Sequence, residues 1–135
     1  MKRKRRIIIG IFSVAVIIAV AIFVIYQNAV NDYQKMIADT TYQNMDASLV
    51  PDGEYIGEYD TEFVYAKVCV TVKSGTIAAI DLLEHRNGRG TPAERIIDDI
   101  LAQQKIDVDA VSGATNSSIV IKKAVDNALS NALSE

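Results

Sequence analysis

Residues Ile7 to Tyr26 run for twenty positions without a charged side chain, directly after the five basic residues Lys2 to Arg6. About twenty apolar residues are what a helix needs to cross a bilayer, so this stretch is expected to be a single transmembrane helix. Lys and Arg beside a span stay cytoplasmic, and an aromatic such as Tyr26 suits the interface. Residues 1–6 are therefore predicted to be a cytoplasmic tail, and residues 27–135 to lie on the extracytoplasmic side of the cell membrane. A cleaved signal peptide would have an apolar region of about 7–15 residues ending at an Ala-x-Ala-like site. Ala19-Val-Ala21 is such a triplet, but Ile-Phe-Val-Ile follows it without a break. The reading is an uncleaved signal anchor.

The charge balance bears on the partners this part of the chain can take. The net charge of −3 conceals the basic tail: with Lys2 to Arg6 set apart, nine basic side chains face seventeen acidic ones, a net −8 for residues 7–135. Nucleic acid and anionic headgroups are poor partners for such a surface. Cys69 is the only cysteine and His85 the only histidine, which excludes an intramolecular disulfide and leaves a metal site short of ligands.

Beyond the span, residues 27–51 read as a juxtamembrane helix running into a linker, closed by the turn signal Pro51-Asp-Gly53. Residues 52–135 are predicted to form one small domain. Glu54 to Tyr59 reads as a short strand. Phe63 to Lys73 alternates, with Ala66, Val68, Val70 and Val72 on one face, the pattern of a half-buried strand. Ser74-Gly75 turns the chain into a third strand, Thr76 to Glu84. Thr91-Pro-Ala-Glu94 reads as a helix start, with Thr91 as the cap and Pro92 first in a helix reaching Gln104 and burying Ile96, Ile97, Ile100 and Leu101. A short strand, Ile106 to Val111, is expected next, then a helix from about Asn116 to Leu133. Its stripe is Ile121, Ala124, Val125, Ala128, Leu129 and Ala132. The fold class is α+β: a small antiparallel sheet with two packed helices, preceded by one N-terminal transmembrane helix.

The stretch with the most chemistry is Asp109-Ala-Val-Ser-Gly-Ala-Thr-Asn-Ser-Ser118. Four hydroxyls (Ser112, Thr115, Ser117, Ser118) surround Gly113 and Ala114, just ahead of an apolar-periodic helix. Hydroxyls there can cap the helix, and its first turn can seat a phosphate; spacing alone favours the plain cap. The stretch is not a nucleotide P-loop, because no Gly-Lys-[Ser/Thr] follows Gly113 at the required distance. Gly88-Arg-Gly90 lacks the third glycine of a dinucleotide fingerprint. A hydrolytic Ser or Thr would need a base in reach, and nothing in the sequence brings His85 beside Thr115.

The same ten residues resemble the flavinylation motif of the FMN-binding domain family, D-x-x-[ST]-G-A-[ST]-x-[ST]. That family includes the C subunit of sodium-translocating NADH:quinone reductase, the G subunit of Rnf complexes and small membrane-anchored extracellular flavoproteins. The likeness extends over most of residues 52–133, through Asp52-Gly-Glu-Tyr-Ile-Gly57, Val68, Val70 and Val72, the His85 loop and the last helix. It implies FMN held by a phosphoester to Thr115, placed there by a separate flavin transferase that takes FMN from FAD with Mg²⁺ and releases AMP. It implies recognition through Asp109 and Ser112, room for flavin and transferase at Gly113 and Ala114, and a phosphate seat on the N–H groups of Asn116, Ser117 and Ser118. The transport subunits carry a His-x-x-Thr-Pro-Gly type loop near the flavin. Here the corresponding run is His85-Arg-Asn-Gly-Arg-Gly-Thr-Pro92, so His85, Arg86, Gly88, Arg89 and Gly90 are candidate contacts by a looser match. Arg86 and Arg89 are read as tuning cations and His85 as a stacking or hydrogen-bonding group, beside the plainer reading of a solvated basic turn.

The function expected is electron transfer, as a carrier more than a stand-alone enzyme, between a membrane donor such as a quinol or dehydrogenase and an extracytoplasmic acceptor. A non-covalent FMN module acting as sensor or scaffold is the alternative, and a cofactor-free structural domain a third reading. Asp98, Asp99 and Asp107 read as surface charge. The orientation has its own test: protease added to intact cells is expected to remove the C-terminal domain, and full protection would overturn it.

Overall fold

The computed structural model describes residues 1–134, which fall into two compact units, Met1–Lys35 and Met36–Glu135. The first is built by helix α1 (Lys2–Ala38). Among the described residues, α1 is the one helix long and apolar enough to cross a membrane, and none of its apolar stretch is buried by protein.

The second unit holds a three-stranded antiparallel sheet in the order β1 (Gly53–Asp60), β2 (Tyr65–Lys73), β3 (Thr76–Arg86). Ala66, Val68, Val70 and Val72 are buried on the inner face of the central strand, as their alternation predicts. Two-residue chemistry closes the β2–β3 hairpin. Ser74 and Gly75 both have positive φ (53° and 73°), the pattern whose twist matches the flanking strands, and Asp52 accepts the Ser74 N–H at 2.8 Å.

Helix α3 (Thr115–Ala132) lies across β1 and β2. Its stripe of Ile121, Ala124, Val125, Ala128, Leu129 and Ala132 is buried in full, joined by Val120. Helix α2 (Ile96–Gln103) packs against β3 and buries Ile96 and Ile100, while Ile97 and Leu101 are half-buried.

Two expected elements differ. The helix predicted from Pro92 is divided: residues Thr91–Arg95 form a 3-10 turn, and α2 begins only at Ile96. Thr91 does not cap it. Gly90 occupies the cap position without a side-chain bond, and the Glu94 carboxylate that would complete a capping box lies 2.9 Å from His85 Nδ1 instead. The strand predicted over Ile106–Val111 is an extended segment outside the sheet. Its backbone groups are taken elsewhere: Val108 N–H donates to Ile106 O, Val108 O accepts from Lys122 Nζ at 2.8 Å, and Val111 N–H donates to Ser118 Oγ at 3.0 Å. A ladder would need those same groups at Ile106, Val108 and Val111.

Both outer edges of the sheet carry side-chain amides. Asn127 and Asn131 of α3 donate to the carbonyls of Glu58 and Ile56 on β1. At β3, Gln104 both accepts from the N–H and donates to the carbonyl of Ile77.

Residues 36–51 belong to the second unit, and polar groups on α3 hold them. Ile37, Ala47 and Val50 are buried. The fully buried Asp126 carboxylate accepts N–H bonds from Gln43 (3.0 and 3.1 Å) and Asn44 (3.2 Å) and pairs with Lys123 Nζ at 2.8 Å. Buried Lys122 lies 4.7 Å from the centre of the Tyr42 ring and pairs with Asp107 at 3.3 Å. Burial, with Asp107 and Asp126 nearby, pushes the Tyr42 hydroxyl well above its ordinary range. Removing one partner of a buried charge pair costs about 3–5 kcal/mol, because the remaining groups stay desolvated. Asp126→Ala is therefore expected to destabilise the domain by that order in urea unfolding of the detergent-solubilised chain, and a change under about 0.5 kcal/mol, the size of an ordinary surface substitution, would contradict it.

Candidate flavin site

The head of α3 is open. Ala114 stands at the cap position and no side chain caps the helix, so the hydroxyl-rich stretch does not form the plain cap that its spacing favours. The first intrahelical bond is Ser118 N–H to Ala114 O at 3.0 Å. The N–H groups of Thr115, Asn116 and Ser117 meet no acceptor among the described residues. The open N–H groups are therefore those of residues 115–117, one position earlier than the expected phosphate seat, since the Ser118 N–H is already committed. Free N–H groups and the positive end of the helix dipole favour negative charge here.

The hydroxyls divide into two kinds. Ser118 is buried; its Oγ accepts from Val111 N–H and donates to Ala114 O at 2.8 Å, so it braces the loop that leads into the helix. Thr115 and Ser112 are exposed. Gly113 supplies the turn before Thr115 with φ at +79°, a conformation costly for other residues. Asp109 and Ser112 line a shallow cavity of about 400 Å³ with Arg95, Asp98, Asp99, Ala110 and Val111.

The His85 loop reaches this helix head through a close contact. An ideal Cβ on Gly90 would sit 2.6 Å from Ser117 Cβ, and closer still to Ser117 Oγ. Only a residue without a side chain fits against the first turn of α3 there. Asn87 shapes the loop, its Oδ1 accepting Gly90 N–H at 2.7 Å. The His85 ring is inside the protein, its side chain 2 % exposed. Arg86 turns the other way: it pairs with Asp60 at 3.4 Å and lies 5.3 Å from the centre of the Tyr65 ring. Gly88 and Arg89 are exposed, and Arg89 makes no ion pair among the described residues. The structure thus joins Gly90 to Ser117, and leaves Arg86 on Asp60 and Tyr65.

Residues 65–130, from the start of β2 almost to the end of α3, match the FMN-binding domain family. The chain carries an FMN-binding domain. The matched span contains both the His85 loop and the Asp109–Ser118 stretch. Comparison with curated proteins and with solved structures found no match. What the domain offers suits FMN: three open N–H groups at a helix head fit a phosphate, an exposed threonine hydroxyl stands beside them, and a buried ring nitrogen nearby is unpaired.

Other reactive groups carry less. Cys69 sits half-buried in the middle strand, and burial pushes its thiol up, which suits an inert strand residue. No cluster of three metal-ligating side chains exists among the described residues. Sequence reasoning assigned Glu94 to a helix cap and did not single out Asn87. The available signal was Glu94's spacing from the only histidine, nine residues upstream across a turn.

The Gly90–Ser117 contact is testable by a double-mutant cycle. Overpacking a tight site costs about 1–3 kcal/mol, so Gly90→Ala is expected to destabilise the domain by that order. Ser117→Gly, added to it, is expected to recover most of the loss in the same urea measurement; strictly additive losses would contradict the contact.

Proposed function

We propose that this FMN-binding domain carries FMN covalently, through a phosphoester to Thr115, and passes electrons from a membrane donor such as a quinol or dehydrogenase to an extracytoplasmic acceptor. The observation that carries the reading is the exposed Thr115 hydroxyl at the head of an uncapped helix within that domain. In the proposed maturation a flavin transferase uses FAD with Mg²⁺. The Thr115 oxygen bonds to the FMN phosphorus, the pyrophosphate bond breaks, AMP leaves, and the hydroxyl proton is released.

Each local feature supports this assignment. The N–H groups of Thr115, Asn116 and Ser117 would stabilise the phosphodiester anion. Ser118 keeps Val111 and Ala114 fixed, so the Thr115 hydroxyl is presented in one place. Gly113 has open space around its Cα on the side where a Cβ would stand, which gives a transferase access. Bound flavin supplies the one- and two-electron chemistry, and the protein's part is to tether and orient it. Arg89 remains the candidate for a cation beside the flavin, while Arg86 already has partners. The basic tail ahead of α1 supports an N-terminus inside and the flavin domain outside. A tether matters there, because a released cofactor would be lost by diffusion.

Co-expression with a flavin transferase is expected to give a fluorescent protein band on a denaturing gel. Thr115→Ala is expected to abolish it with the fold retained. A band that survives the substitution would overturn the attachment site, and flavin that leaves on denaturation would favour a non-covalent FMN module.

A further inference from the structure

One buried side-chain polar atom among the described residues has no hydrogen-bond partner, and it is His85 Nε2. An unpaired buried polar group costs about 1–3 kcal/mol, so its retention calls for a reason. The other ring nitrogen is well held. Nδ1 lies 2.9 Å from Glu94 Oε1. The Asn87 amide, its oxygen held by Gly90 N–H, turns its nitrogen to His85 and donates to the His85 carbonyl at 3.4 Å. That nitrogen, 3.2 Å from Nδ1, is itself a donor and offers Nδ1–H no acceptor, which leaves Glu94 as the acceptor. A carboxylate only accepts, so the Glu94 contact requires the proton on Nδ1. In the neutral ring, Nε2 then has a lone pair and no donor.

We propose that Glu94 is a positioning residue: by accepting from Nδ1–H it fixes one tautomer of His85, so that Nε2 accepts a hydrogen bond from an N–H or O–H donor of bound flavin. The partner named for Nε2 rests on the function proposed above; the role of Glu94 in setting the tautomer does not. The loop that follows His85 reaches the head of α3. His85 is next to last in β3, and the loop after the strand runs through Asn87 to Gly90, which rests on Ser117 in the first turn of α3. Chemistry selects the donor. A phosphodiester offers only acceptors and cannot satisfy a lone pair. The flavin ring offers N3–H in every redox state and N5–H after reduction, and the ribityl chain offers hydroxyls. Glu94 is 42 % exposed, so its replacement leaves the core intact.

His85 is the only histidine, so ¹⁵N NMR of its imidazole reads the tautomer without ambiguity in the full chain in detergent micelles. The flavin-free protein is expected to show Nδ1 protonated and Nε2 bare. Glu94→Ala is expected to give a mixture of tautomers, and Glu94→Gln, which keeps an acceptor, to retain the original one. Retention of pure Nδ1–H in Glu94→Ala, or protonated Nε2 in the unsubstituted chain, would overturn the role of Glu94. In the flavin-loaded protein the Nε2 resonance is expected to move, already in the oxidised state if N3–H or a hydroxyl is the donor, or only after dithionite reduction if it is N5–H. An Nε2 signal identical in flavin-free, oxidised and reduced protein would overturn the flavin contact. Intact mass reports separately whether flavin is attached. A chain that never acquires it refutes the parent reading and the partner named for Nε2, while the flavin-free spectra still decide the role of Glu94.

Discussion

The burial of α3 against β1 and β2 is the contact on which the rest of the domain depends. Each aliphatic side chain taken fully out of water contributes about 1.5–3 kcal/mol, and Val120, Ile121, Val125 and Leu129 meet Val68, Val70 and Val72 in that condition. Because the helix is fixed along its length, its first turn is fixed too. The loop ahead of it need only be short and braced, and Ser118 supplies the brace from inside the helix. A cofactor attached at Thr115 would stand at the head of the helix that buries the most residues in the domain.

The same helix ties the chain that precedes the sheet. Lys122 and Asp126 stand one turn apart and hold Tyr42, Gln43 and Asn44 by a ring contact and a buried carboxylate. A carboxylate with no exposure is tolerable because two backbone N–H groups and an ammonium share it. Residues 36–51 are therefore part of the folded unit and not a loose tether.

What could be read from the sequence followed from periodicity and turn chemistry. The alternation of Ala66, Val68, Val70 and Val72, the Ser74-Gly75 turn and the apolar spacing of α3 each point to one structure, and the domain has it. The misreadings share a cause: side chains with a local option took a distant one. Glu94 could cap Thr91 but bonds His85. The hydroxyls around Thr115 could cap α3 but leave it open, and Ser118 reaches back to Val111. Ile106–Val111 has the residues of a strand, yet Lys122 takes the Val108 carbonyl and Ser118 the Val111 N–H. Lys122 and Asp126 also fall among the buried stripe of α3 by spacing, where charge is normally excluded. The long-range pairs that make them acceptable are invisible to a local pattern.

The amides of Asn127, Asn131 and Gln104 carry a consequence for company. An open strand edge is a template on which another chain can add a strand, and a membrane raises the encounter rate by confining anchored copies to two dimensions. Here the carbonyls of Ile56 and Glu58 on one side, and both backbone groups of Ile77 on the other, already have partners. The sheet is closed at those points to recruitment by its own kind. A second chain that docks at those points must do so through side chains and loops, because the backbone there is already taken.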